Sequence, residues 1–263
     1  MHSLRAVRKG LPATGYGTEI LSRMYEKRTY RHDIKNLDLV SFQAVVKETD
    51  LYIRASKDLS VEAVAAINEV REPLERYIRG HPIFLHSLEP LPVEKDAPEI
   101  VQRMAQAARL ANVGPMAAVA GAVAEMVGEK LLQWSAEVIV ENGGDIFLKV
   151  GSKRIIAIYA GGSSFTGKLA IEVEPGRTPL GVCTSSGKVG PSLSLGLADA
   201  AVVLAPSAAL ADAAATAVGN RVRSVDDIEA ALVLGQSIRG VTGIVIVAGD
   251  RMGARGDVKL VEI

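Results

Sequence analysis

The chain has 263 residues, 48% of them hydrophobic, enough to bury a sizeable core in one large domain or two small ones. Its 30 basic and 30 acidic side chains cancel, which excludes a whole-molecule field of the kind that draws in nucleic acid or a membrane surface. One cysteine excludes an internal disulfide and suits a reducing compartment, and the first dozen residues carry charge without an apolar run, so a cytoplasmic protein without a secretory signal is expected. Two windows, 111–128 and 198–218, are long and apolar. The first contains Pro115 and Glu125, the second Asp199, Pro206 and Asp212, so no membrane span is expected from either.

In chain order, residues 1–18 hold Gly10, Pro12, Gly15 and Gly17 without periodicity and read as a loose arm. Basic residues then cluster at Arg23, Lys27, Arg28, Arg31 and Lys35. Alternating patterns over 26–34 and 39–55 predict strands with a turn between them. Arg28, Arg31 and His32 would lie on the first, either protecting a sheet edge or meeting a phosphate. From Ser60, read as an N-cap, apolar residues recur at Val61, Val64, Ile67, Val70 and Leu74. This predicts a helix that Pro73 kinks and Gly80 ends. His81 and His86 flank an apolar run at a spacing unsuited to shared ligation and are read as structural. Pro90, Pro92 and Pro98 mark a connection over 87–98, where two lobes of a single domain spanning 1–263 would meet.

A helix is predicted over 99–111, and Pro115 opens another whose small apolar residues on nearly every side require burial. A meander of short antiparallel strands follows, AEVIV, IFLKV and RIIAIYA. Its first turn is Asn142-Gly143-Gly144-Asp145: either a plain type I′ turn, or a place where two glycines let a ligand approach the backbone and Asp145 supplies an oxygen. Residues 162–168 begin like a phosphate loop, but Leu169 stands where Ser or Thr is needed, so they read as a hairpin loop.

The stretch 181–220 carries the most chemistry. Cys183-Thr184-Ser185-Ser186-Gly187 offers hydroxyls and backbone N–H groups to an anion. A strand over 200–205 leads past Pro206 and the N-cap Ser207 into an alanine-rich helix stopped by Gly219 and Asn220. Asp212 is the lone acid in that helix, and Thr216 follows one turn later on the same face. Such an acid turns to solvent, caps a neighbour, or finds a base or a cation. With Thr216 it forms an oxygen pair suited to Mg²⁺. A helix over 225–237 and strands over 243–248 and 258–263 close the chain. The expected class is α+β, mainly antiparallel sheets packed with helices.

These residues resemble the ApbE superfamily, whose best-known members are FAD:protein FMN transferases. The likeness covers roughly residues 105–220. It rests on the small-residue helix after Gly114, on Asn142-Gly143-Gly144-Asp145, on Thr184-Ser185-Ser186-Gly187, and on Ala211-Asp212 followed by Ala215-Thr216. The resemblance implies that Asp212 and Thr216 bind Mg²⁺ and that a flavin nucleotide is the ligand class. The transferases' histidine and aspartate–proline–arginine–threonine–glycine segment is replaced by VGPSLSLG at 189–196, which argues against FMN transfer. The chain is similar to the shorter, uncharacterised branch of archaea and anaerobic bacteria, which implies a link to sulfur assimilation.

Three functions remain open at this level. One is a protein binding a phosphate-bearing small molecule with Mg²⁺. Another is a sulfur carrier that uses Cys183, its thiolate favoured by backbone N–H groups and Lys188 and loaded by a sulfur-donor protein; against it, a lone cysteine is often just a small buried hydrophobe. The third is a non-catalytic assembly partner, since the alanine-rich helices suit packing within one subunit or in a homo-oligomer.

Overall fold

The computed structural model describes residues 38–186 and 196–263. The predicted strand over 26–34, the basic cluster around it, Gly187 and Lys188 lie outside them.

An eight-stranded, wholly antiparallel sheet forms the centre of the molecule. In chain order its strands are β1 (Val40–Val46), β2 (Thr49–Ala55), β3 (Val138–Asn142), β4 (Asp145–Lys149), β7 (Leu180–Ser185), β8 (Ala200–Ala205), β9 (Gly243–Ala248) and β10 (Arg251–Gly256), and they lie side by side in that order. Between β4 and β7 the chain leaves the sheet to make β5 (Arg154–Ala157) and β6 (Leu169–Val173), which join β11 (Lys259–Glu262) in a three-stranded sheet. The helices are α1 (Ser60–Gly80), a single turn α2 (Ile83–His86), α3 (Glu99–Ala111), α4 (Val119–Leu131) entered through a 3₁₀ turn at Pro115–Ala118, α5 (Ala208–Arg221) and α6 (Ile228–Ser237).

Three layers result, with two cores. One face of the large sheet packs Val138, Val140, Phe147, Cys183 and Val203 against α1 and α3–α6. The other packs Ile139, Leu148, Val182, Val202 and Val245 against Ile156, Ile171 and Val173 of the small sheet. Burial on both faces explains why β8 and β9 read as unbroken apolar runs, AAVVLA and GIVIVA, whereas the edge strand β1 alternates. The α+β expectation, antiparallel sheets packed with helices, matches this architecture.

Several local expectations need correction. The pattern over 39–55 is two strands, folded back at Lys47, whose φ of 53° is left-handed without a glycine to announce it. Ser60 is the first residue of α1 rather than its cap, and its N–H donates to the Asp58 carboxylate at 2.8 Å. Val61 points out, 79% exposed, so the buried face of α1 starts at Ala63. The helix continues through Pro73 and ends, as expected, at Gly80. RIIAIYA does not extend the meander: as β5 it pairs with β6 in the second sheet, and residues 162–168 are the loop of that hairpin. β10 was not foreseen. Among the described residues no single helix is long and apolar enough to cross a membrane; α3 and the α4 segment meet at 103°.

Candidate functional site

The turn Asn142-Gly143-Gly144-Asp145 joins β3 to β4, with Asn142 opposite Asp145 and both glycines at positive φ, 69° and 107°. That is the two-residue hairpin geometry glycine favours. The side chains of the turn do more. The Asn142 amide donates to the Ala120 carbonyl oxygen at 3.0 Å, tying the turn to the start of α4, and the Gly144 N–H donates to Glu141 Oε1 at 2.9 Å.

One rung beyond the paired residues of β4 and β7, Asp145 meets Cys183. Its Oδ1 accepts the Thr184 N–H at 3.3 Å, and the thiol lies within hydrogen-bonding reach of the carboxyl. Cys183 is fully buried and its S–H donates to the Ala208 carbonyl at 3.3 Å. Side chains alternate along β7, so Cys183 and Ser185 face the helices while Thr184 faces the small sheet with Val182. Ser185 abuts α5 at Gly219, and the half-buried Ser186 follows at the end of the strand.

Asp212 projects from α5 onto the first turn of α4. Its Oδ2 accepts the Gly121 N–H at 2.9 Å, and the Ala120 N–H adds a second donor. Thr216 is one turn further along the same helix and half-buried. α5 starts where expected: Ser207 Oγ accepts the Leu210 N–H, and α5 runs to Arg221, two residues past Gly219. The approach is close because Gly121 has no side chain. A Cβ there would lie 2.2 Å from the Ala208 carbonyl oxygen.

The electrostatics are one-sided. Burial pushes Asp212 well above the ordinary carboxyl range, and the neighbouring Asp145 pushes it further, against the pull of the Gly121 and Ala120 N–H groups. Burial likewise pushes Asp145 up to about 7. The Cys183 thiol is raised by burial, then by Asp145 and Asp212.

The structure thus brings Asn142, Asp145, Cys183 and Asp212 to one place on the helix side of the sheet, with Thr184 contributing through its backbone. Of the two readings of Cys183, the structure agrees with a small buried side chain and goes against a carrier: a carrier thiolate needs access and stabilisation, and here the thiol is enclosed and its pKa raised by two carboxyls. Sequence reading missed Glu125, the acid on α4 that grips the start of α5: its Oε2 accepts Ser207 Oγ–H at 2.8 Å and the Ala209 N–H at 3.0 Å. The signal that marked Asp212, one acid among methyl groups, was also present there.

Among the described residues no group of three or more His, Cys, Asp or Glu could by itself hold a metal ion. Asp212, whose proton affinity Asp145 raises, is hydrogen-bonded by N–H groups and meets no base among the described residues; with Asp145 beside it, it still suits a hard cation that keeps most of its waters.

This helix–sheet arrangement is the fold of the ApbE flavin transferases. The chain superposes on the flavin transferase ApbE from Vibrio cholerae with a TM-score of 0.55 at 12% identity, covering 83% of this chain and 96% of that one. For the apo flavinyl transferase ApbE of Pseudomonas stutzeri the values are 0.52, 13%, 83% and 94%. At the level of sequence, the family described as AbpE bacteria matches residues 31–249, and the chain belongs to that family. It is 44% identical over 220 residues to a UPF0280 protein of Methanocaldococcus jannaschii, covering 81% of this chain and 89% of the relative. It is 42% identical over 212 residues to a UPF0280 protein of Methanocella arvoryzae, covering 80% and 86%.

Proposed function

We propose that the protein binds a phosphate-bearing small molecule, a flavin or another nucleotide, together with Mg²⁺, between the 142–145 turn, the end of β7 and α5. Asp212 and Thr216 would hold the ion, with Asp145 beside it. The observation that carries this reading is the Asp212 carboxyl: held by the α4 amides, it lies within the electrostatic reach of Asp145 and meets no base among the described residues. The fold shared with flavin transferases and the two glycines at the turn support the choice of ligand.

Bound Mg²⁺ supplies a Lewis acid that polarises phosphoryl oxygen. The protein's own groups do the rest. The α4 amides orient Asp212, and Asn142 locks the turn against α4. Asp145, pushed up to about 7, holds or releases a proton near neutrality. Gly143 and Gly144 leave the backbone open to a ligand's approach.

Calorimetric titration of Mg²⁺ with FMN, FAD or ADP into wild type and Asp212→Asn tests the proposal. Wild type is expected to bind nucleotide more tightly with Mg²⁺ than without, and the variant is expected to lose that increment. Equal behaviour of the two proteins ends the reading. The sulfur-carrier reading draws no support from the buried Cys183.

A further inference from the structure

We propose that Glu125, braced by Arg103, is a positioning residue for the Asp212 carboxylate; the inference deepens the Mg²⁺ reading and rests on it for its consequence on metal affinity. Helices α4 and α5 grip each other reciprocally. Glu125 of α4 binds the first turn of α5 through Ser207 Oγ–H and the Ala209 N–H. Asp212 of α5 binds the first turn of α4 through the Gly121 N–H. Each carboxylate sits at the positive end of the other helix, where unpaired N–H groups and the helix dipole favour a negative charge.

The two halves differ in one respect. Glu125 has a base, Arg103 Nη1 at 3.3 Å from its Oε1, and Arg103 is itself held by Glu99 and Glu129. Among the described residues, Asp212 receives only N–H donors. One half of the grip is closed by an ion pair, the other by hydrogen bonds.

The α5 helix does not need Glu125 in order to start, because Ser207 already caps it through the Leu210 N–H. What Glu125 adds is a bond between helices. Asp212 lies three residues beyond Ala209, so the turn that Glu125 holds is the turn that carries Asp212. The fit at Gly121 leaves no slack, and loosening one end of the grip displaces the other.

The test compares wild type with Glu125→Gln, Arg103→Met, Ser207→Ala and Asp212→Asn by nitrogen-15 NMR, followed by Mg²⁺ titration. The Gly121 amide reports its hydrogen bond to Asp212 directly. A positioning role predicts that Glu125→Gln and Arg103→Met move the Gly121 resonance toward its place in Asp212→Asn and weaken Mg²⁺ binding about tenfold, as loss of a group that orients a ligand does. Ser207→Ala removes the cap of α5 and one of Glu125's two bonds to that helix but leaves the Ala209 N–H bond, so it is expected to lower stability with a smaller Gly121 shift than Glu125→Gln. A Gly121 resonance unmoved in folded Glu125→Gln overturns the inference, and Arg103→Met decides it if that variant does not fold. Failure of the metal reading shows separately: Mg²⁺ then leaves the wild-type Gly121 and Asp212 signals unchanged, while the comparison among variants still accepts or rejects the positioning role.

Discussion

Asp145 and Asp212 are carboxyls that the fold buries, with Asp145 raising Asp212 further, and the consequence is a stability that depends on protons. The folded-state pKa of Asp145, about 7, lies above its ordinary value of 3.8. Between those values the folded protein keeps a proton that the unfolded chain has released. Its contribution is therefore fully present below the ordinary value and is lost as pH rises through the folded one. Asp212 is shifted in the same direction. The melting temperature of Mg²⁺-free protein is expected to fall between about pH 5 and pH 8, with a shallower slope in Asp145→Asn. A melting temperature that climbs over that range contradicts the assignment. Cys183 makes a simpler prediction. A buried thiol with a raised pKa reacts slowly. An aromatic disulfide reagent should therefore label the unfolded chain promptly and the native protein far more slowly; equal rates would show that the thiol is open to solvent.

At the scale of elements, the α4–α5 contact decides the geometry of the site, and Gly121 is its tightest point. A methyl group there would meet the Ala208 carbonyl oxygen at 2.2 Å and the Asp212 Cβ at 2.8 Å. Backbone cannot rotate away as a side chain can. Overpacking of this kind costs about 1–3 kcal/mol, which outweighs the gain of roughly 1 kcal/mol in helix propensity from Gly to Ala. Gly121→Ala should lower the urea midpoint, whereas Gly80→Ala, with nothing within 4 Å of the added carbon, should leave it unchanged or raise it. Similar losses in both variants would mean that the close approach is not what matters at Gly121.

The same elements show what was legible locally. Ser207 was readable as a cap because its hydroxyl acts on an N–H three residues away. Helix α3 was readable because its apolar face repeats along one stretch. Ser60 misled because a serine before an apolar repeat suits a cap, yet here it is already inside the helix and its own N–H donates to Asp58 two residues earlier. The β1–β2 hairpin was hidden because Lys47 and Glu48 carry no turn signal. β10 was hidden because RMGARG is an exposed edge with little apolar alternation.

At the scale of the molecule, the large sheet is the shared wall of two cores, so damage on one side is felt on the other. Leu148 is fully buried in the core between the sheets. Leu148→Ala is expected to cost about 2–5 kcal/mol. The loss should appear with one midpoint in backbone circular dichroism and in the fluorescence of Trp134, which follows the helix that packs on the opposite face. Two separated midpoints would show that the layers unfold independently.

The sequence by itself determined what depends on neighbours along the chain. Composition and alternation were enough for the antiparallel α+β class. The glycines of the 142–145 turn and the isolation of Asp212 were enough to nominate the site. Only the tertiary structure decided which face each β7 side chain occupies, because that depends on register across the sheet. It alone paired Glu125 with α5 and Asp212 with α4, since each bond joins residues more than eighty positions apart. Its neighbours left Cys183 open between an available thiol and a buried one, and the fold encloses it, because burial belongs to the packed layers and not to the residues on either side of it.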